Sequence, residues 1–319
     1  MKIPEPKHTT SAAIYEAIER NNNELPRPHL GASLIGHHCE RWLWLSFRWA
    51  VREKFSGRIL RLFRRGQEEE KYLVADMRAA GIEMDAEENG KQYRVEVLPH
   101  FGGSMDGVIH KGVPEAPSKK HVFEAKTHSK KSFDDLLKNG VEKSKPQHFA
   151  QCQVYMGGTG IDRALYVAVC KDDDRIYTER VKFDAEIFEK LKAKAERIIF
   201  TDRMPEPISA DPSWYQCKFC PAHTFCHKSH WATEVNCRTC AHSTAKDDGT
   251  WHCARWDDTI PTASQHTGCD SHVFHPDLVP FTFVDGDGVS ALYRDGNKEF
   301  WNGEKGLKSV EIIRADLES

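Results

Sequence analysis

The sequence predicts an α/β protein: a mixed sheet flanked by helices, followed by a cysteine-rich segment and a small β appendage. Three observations predict it. Helical and strand-like periodicities alternate from about residue 11 to residue 200. Cysteine- and histidine-rich sequence then takes over to about residue 275. The last stretch, 281–319, alternates apolar residues with Gly, Asp and Asn turns. Strands interleaved with helices favour a sheet covered by helices.

Residues 11–22 and 58–80 are expected helices. In the second, Ile59, Leu62, Phe63, Tyr72, Leu73 and Met77 recur at near-helical intervals, and Gly81 supplies a stop. Strand patterns follow at 92–98, 104–110 and 121–127, with Gly102-Gly103 marking a hairpin between the first two. A polar loop, Pro114 to Lys120, precedes the third. Pro146 suits the first turn of a helix expected to run to Met156 and stop at Gly157-Gly158. Residues 164–170 form a buried-strand candidate, followed by an acidic turn at Lys171 to Asp174 and a further strand from Arg175 to Phe183. An amphipathic helix over 184–200 ends before Pro205. The expected domains are 1–230, 231–275 and 276–319. Neither an internal repeat nor a long low-complexity segment is evident.

Composition narrows the class. With 39% hydrophobic and 29% charged residues, the chain can bury a full core. It has no apolar run near the roughly 20 residues of a membrane span. Its first twenty residues are too charged for a secretory signal, so a cytoplasmic protein is expected. Eight of ten cysteines cluster at ligand-like spacing, with Cys152 and Cys170 outside as simple buried thiols. In a reducing compartment clustered cysteines are metal ligands more often than disulfides.

Net charge is only −3, yet Arg41 to Arg65 holds eight basic residues against one acid, Glu53. Trp42, Trp44, Phe47, Trp49, Phe55 and Phe63 lie among them. Such interleaving suits single-stranded nucleic acid, with cations on phosphates and rings on bases. The plainer alternative, and the favoured one for this stretch alone, is an aromatic core face beneath a solvated basic face.

Glu124 and Lys126 are two apart on an expected strand, hence on one face. Their apolar surroundings make a charged pair costly without compensation. Asp106, on the preceding expected strand, can face the same point, and converging carboxylates make a hard oxygen site for Mg²⁺ or Mn²⁺. Lys126 would then position or help deprotonate an attacking water. Gln151 and Tyr155 share a helix face, and Glu70 offers a third carboxylate. Each pair alone also fits an ordinary amphipathic element.

In order along the chain stand Gly66-Gln67-Glu68-Glu69-Glu70, Gly103-Ser104-Met105-Asp106-Gly107, Glu124-Ala125-Lys126 and Gln151-Cys152-Gln153-Val154-Tyr155. This series resembles the ordered motifs of the RecB-like branch of PD-(D/E)XK nucleases, which includes the RecB and AddB nuclease domains, CRISPR-associated RecB-like exonucleases and related phage exonucleases. The resemblance covers roughly residues 31–228. It implies a restriction-endonuclease-like core with metal at Glu70, Asp106 and Glu124. Lys126 assists the nucleophile, and Gln151 and Tyr155 complete the site. Glu68 and Glu69 are alternatives to Glu70.

Cys217-x₂-Cys220-x₅-Cys226 offers three thiolates, one short of a closed site. The resemblance supplies the fourth: iron–sulfur members carry one cysteine before the core and three after it, here Cys39 before Cys217, Cys220 and Cys226. It implies a [4Fe–4S] cluster. Four thiolates equally take Zn²⁺, with His38, His223 and His227 as substitutes. The second set, Cys237-x₂-Cys240-x₁₂-Cys253-x₁₅-Cys269, suits a structural Zn²⁺ site, with His242, His252, His266 or His272 as replacements.

The expected function is DNA phosphodiester hydrolysis with Mg²⁺ or Mn²⁺, as an exonuclease (a hydrolase) on single strands or duplex ends. The resemblance implies service in phage DNA recombination, DNA repair or CRISPR spacer acquisition. The absence of a P-loop makes any helicase a separate partner, and an annealing protein or a CRISPR integrase are the other partners considered. The rivals are a structure-specific or restriction-type endonuclease and a catalytically idle, metal-stapled DNA-binding scaffold.

Overall fold

The computed structural model describes residues 9–228, 231–232 and 234–317, with side chains to 315. The N-terminal segment weighed as a signal lies partly outside the described residues. Two compact units emerge. The first draws on Met1–Pro26, Glu53–Val97 and Gly102–Glu189, the second on Arg27–Arg52, Leu98–Phe101 and Lys190–Ser319.

The first unit is built on a five-stranded mixed sheet, ordered Glu83–Asp85, Gly107–Lys111, His121–His128, Arg163–Cys170 and Ile176–Lys182. The His121–His128 and Arg163–Cys170 strands are parallel, and the other neighbours are antiparallel. A parallel pair needs a crossover. Here it consists of two helices, Lys130–Ser144 and Pro146–Thr159. Strand alternation sorts the side chains. Phe123 joins Leu165, Val167 and Val169 in a core closed by Leu73, Val74 and Met77 of the Gly57–Ala79 helix. Glu124, Lys126 and His128 therefore fall on the opposite face.

Four details differ from the expectation. The 104–110 segment is not one strand: it breaks at Asp106 into Phe101–Met105 and Gly107–Lys111, which belong to different sheets. Gly102 lies inside a strand rather than a turn, because a Cβ there would meet Val95 O at 2.2 Å. The Pro146 helix runs through Gly157 and Gly158 to Thr159. A Cβ on either glycine would strike Phe188 or Val95, each at 2.3 Å, so these glycines permit close packing. The helix ends instead at Gly160, whose φ is +71°. The Lys130–Ser144 helix was not expected at all; Gly140, at φ +72°, interrupts its pattern.

The second unit contains the Glu40–Phe47 helix, which buries Trp42, Leu43, Trp44, Leu45 and Phe47. Trp49 and Arg48 are buried too. Within the Arg41 to Arg65 stretch this corrects the nucleic-acid reading for Trp42, Trp44, Phe47 and Trp49, whose rings are core as the plainer alternative has it, while Arg48 is buried with them and is not part of a solvated face. Among the aromatics considered, Phe63 is exposed, and in the first unit it packs edge-on against Phe55 at 4.9 Å. The second unit also has two three-stranded antiparallel sheets. One joins Ser243–Ala245, Trp251–Cys253 and Asp258–Thr259; the other joins Thr282–Gly286, Ser290–Asp295 and Lys298–Gly303. The helix Ser309–Leu317 completes the C-terminal part. Among the described residues, no helix is long and apolar enough to cross a membrane.

Candidate active site

The break at Asp106 places its carboxylate where the backbone turns between strands. Asp106 Oδ2 accepts a hydrogen bond from Ala125 N at 2.9 Å, which ties it to the middle of the His121–His128 strand. Gly107 makes this turn tight, since a Cβ there would lie 2.6 Å from Asp85 O. Lys126 Nζ stands 4.0 Å from Asp106 Oδ2 and donates to Glu124 Oε1 in close contact. The three side chains thus meet at one point.

Glu124 is fully buried, and its second oxygen, Oε2, has no hydrogen-bond partner. Burial pushes its carboxyl pKa up; Lys126 opposes this, and Asp106 and Glu70 reinforce it. An orphaned carboxylate oxygen in such a place is expensive. Lys126 responds to the same neighbours. Burial alone would lower its pKa, but the Glu124 and Asp106 carboxylates outweigh burial and push it up. Lys126 therefore holds its proton at neutral pH. Glu70, half-buried on the Gly57–Ala79 helix, is pushed up to about 7, first by burial and then by the Asp106 charge. Glu68 instead pairs with Lys71 at 2.7 Å in exposed surroundings, so of the three adjacent glutamates Glu70 is the one coupled to Asp106 and Lys126.

The Pro146–Thr159 helix supplies the other wall. Gln151 Nε2 donates to Tyr155 Oη at 3.2 Å, and Tyr155 Oη donates to Ser104 O at 2.6 Å. Burial pushes the Tyr155 phenol up, with Glu124 adding to the effect. Two histidines and a tyrosine extend this face and were missed from sequence. His128 Nε2 and His148 Nδ1 lie 2.9 and 2.8 Å from Tyr166 Oη. Burial, then the Lys145 charge, lowers His128 to about 4. Burial, then Lys126, lowers His148 to about 3, so both rings are neutral near pH 7. The signal was present: His128 continues the alternation of Glu124 and Lys126, and His148 stands one turn before Gln151.

Each cysteine set surrounds one small cavity. Cys39, Cys217, Cys220 and Cys226 line a space of about 20 Å³ with His223 and His227 but not His38. Cys237, Cys240, Cys253 and Cys269 line another of about 20 Å³ with His242 and His272. Among the described residues, no group of three or more His, Cys, Asp or Glu is already gathered as a metal-ligand set, at these cavities or at the carboxylates. Cys152 and Cys170 are fully buried thiols.

No protein-family model matches this chain, and no curated protein does. Solved structures resemble it in part. An alkaline exonuclease (LHK-Exo) from Laribacter hongkongensis is 18% identical over 58% of this chain and 89% of its own, with a TM-score of 0.37. LHK-Exo in complex with dAMP is 16% identical over the same shares, with a TM-score of 0.41. The protein SSO0001 is 16% identical over 68% of this chain and 95% of its own, with a TM-score of 0.40. At these values the likeness carries no argument about activity, which rests on the residues above.

Proposed function

We propose that the chain is a Mg²⁺- or Mn²⁺-dependent deoxyribonuclease that hydrolyses phosphodiester bonds as an exonuclease. The observation that carries this reading is the orphaned Glu124 Oε2, fully buried beside Asp106 and Lys126. A scaffold gains nothing from such a group, whereas a hard divalent cation satisfies it. Glu70, Asp106 and Glu124 are the residues that would hold the ion. When bound, the ion supplies positive charge to a phosphate's non-bridging oxygens.

The chain's own residues do the rest. Lys126 keeps its proton, so it serves as a hydrogen-bond donor and fixed positive charge toward the attacking water or the phosphate, and not as the base. Asp106, held by Ala125 N, fixes the carboxylate geometry. Tyr155, locked onto Ser104 O, holds Gln151 in place along the opposite wall. The neutral pair His128 and His148 adds no charge to this face.

For the first cysteine set, the four thiols around one cavity fit a soft metal centre. The motif resemblance favours a [4Fe–4S] cluster over Zn²⁺ there. Burial raises Cys220 to about 11, so a bound metal would have to displace its proton. Anaerobically purified protein should be brown if the cluster is present; colourless protein carrying zinc at this set would replace the cluster with Zn²⁺.

The activity is tested with end-labelled linear and circular single-stranded DNA in the presence of Mn²⁺. An exonuclease degrades the linear substrate and spares the circle. Equal cutting of both would make the protein an endonuclease. No cutting of linear single- or double-stranded DNA would leave a metal-stapled scaffold.

A further inference from the structure

The basic stretch from Arg41 to Arg65 divides in two. Its first half is core, but between Glu53 and Glu68 the chain carries Lys54, Arg58, Arg61, Arg64 and Arg65 and no acid. The four arginines are exposed on the Gly57–Ala79 helix. Arg58, Arg61 and Arg65 recur at intervals of three and four, so they stand on one face with Arg64 beside them. Leu73, Val74 and Met77 turn the other face into the core. Among the described residues, Arg58, Arg61 and Arg64 have no carboxylate partner.

An ordinary solvated helix face mixes acids with its cations, so that they pair one turn apart. Here like charges face each other at Arg58 and Arg61, at Arg61 and Arg64, and at Arg61 and Arg65. They also crowd the end of the helix where cations are disfavoured, and the first turn holds no acid. Helix stability does not account for such a row. A polyanion laid along it would.

The side chains of Arg58, Arg61, Leu62, Arg64, Arg65 and Glu68 line an open cleft of about 410 Å³. Its one acid, Glu68, is engaged by Lys71 at 2.7 Å. Its one apolar group, Leu62, gives a lipid surface little to insert into. All four cations are guanidiniums, whose planar fork matches phosphate oxygens two at a time.

The row also leads to the carboxylate site. Arg65 Nη2 donates to Lys171 O at 3.0 Å, and Lys171 N donates to His128 O at 2.8 Å. His128 is two residues beyond Lys126, about 7 Å along the same strand. Arg58, at the other end of the row, lies about 10 Å farther along the helix. Each strand of a DNA duplex carries one phosphate per about 3.4 Å of axis, so the row faces about three.

We propose that Arg58, Arg61, Arg64 and Arg65 bind DNA phosphates that flank the scissile bond. This rests on the nuclease reading and deepens it: the contacts are to the backbone and carry no base sequence. The arginines face outward, whereas Glu70 on the same helix is half-buried and coupled to Asp106 and Lys126. They hold the DNA strand without touching the reacting phosphate.

The test is binding of a fluorescein-labelled oligothymidylate to full-length protein, read by anisotropy over a range of salt without added divalent cation. Arg61→Gln/Arg64→Gln should weaken binding about 10-fold near 0.1 M salt and flatten the slope of log affinity against log salt by about 1.4, two phosphates at about 0.7 each. Arg61→Lys/Arg64→Lys should keep the slope. With Mn²⁺, the glutamine variant should raise KM for linear DNA about 10-fold and leave kcat within about two-fold, because uniform binding is what it loses. Lys91→Gln/Arg94→Gln removes two exposed cations from the Lys91–Leu98 strand and should change neither slope nor KM. A glutamine variant with wild-type slope and KM overturns the proposal even where the wild type cleaves. So does a wild type that binds phosphatidylserine vesicles and not the oligothymidylate. The stated fall in slope in a protein that cuts no DNA would keep the arginines as a phosphate-binding row and overturn the nuclease reading instead.

Discussion

The carboxylate site and the cysteine sets solve opposite problems. In the first unit, a sheet and helix core carries the site, and it brings carboxylates together at a cost. In the second, the segments bearing the cysteines are short: strands of two or three residues and helices of four or five. Elements that brief cannot bury enough apolar surface to stand alone. An ion on the proposed carboxylate site would then be removable without unfolding its scaffold, whereas an ion on the proposed thiol sites would be part of the scaffold.

The largest effect should come from the first unit's chemistry. Lys126→Ala, Asp106→Ala or Glu124→Ala should each lower cleavage by at least about 100-fold, the scale of removing one electrostatic stabiliser. The Asp106→Ala/Glu124→Ala double variant should be little worse than either single one, because the groups act as a unit. Far-ultraviolet circular dichroism should stay that of the wild type. Cleavage by Lys126→Ala near the wild-type rate would remove the site from the reaction.

Cys39→Ser should behave in the contrary way. Metal content at the first set, solubility and melting temperature should fall together, since one ligand of the set joins residues 178 positions apart in sequence. Loss of metal with an unchanged melting temperature would erase the contrast between the two kinds of site.

A third prediction concerns pH. Glu70 and Glu124 have folded pKa values raised above the ordinary 4.5, Glu70 to about 7. The metal-free folded state therefore binds protons more tightly than the unfolded chain. The stability these groups contribute is complete below pH 4.5 and is lost as pH rises through about 7 for Glu70 and about 8 for Glu124. Thermal melts without divalent cations should show this decline, and saturating Mn²⁺ should raise the midpoint more at pH 8 than at pH 5.5. A cation effect equal at both pH values would mean that these carboxylates do not hold the ion.

The smallest effect should be Tyr155→Phe. It removes two hydrogen bonds, the one Tyr155 Oη donates to Ser104 O and the one it accepts from Gln151 Nε2, and should cost about 2 kcal/mol of stability with only a modest loss of rate. A loss as deep as that of Lys126→Ala would give the phenol a chemical part.

The residues of the site were legible before the fold was. Glu124 and Lys126 could be placed together because strand alternation is a strict geometric rule. Asp106 was recognisable, but its position at a break between two sheets was not, since nothing local announces that neighbouring strands take different partners. Gly157 and Gly158 read as a stop because glycine usually disfavours helix; here Phe188 and Val95 occupy the space a Cβ would need. The basic and aromatic run from Arg41 to Arg65 looked half exposed because charge normally marks surface, yet Arg48 within it is stacked in the core. The cysteines that spacing assigns to each set line one cavity apiece, while Arg255 beside the second cavity is visible only in three dimensions.

The proposed nuclease activity requires that Glu124, Asp106 and Glu70 form a hard cation site separate from the thiol sites. Electron paramagnetic resonance of Mn²⁺ titrated into full-length protein, wild type against Glu124→Gln, tests it most directly. The wild type should take up one Mn²⁺ that Mg²⁺ displaces, and Glu124→Gln should lose that uptake while its zinc content stays unchanged. Equal Mn²⁺ uptake by both proteins would mean that Glu124 does not hold the ion.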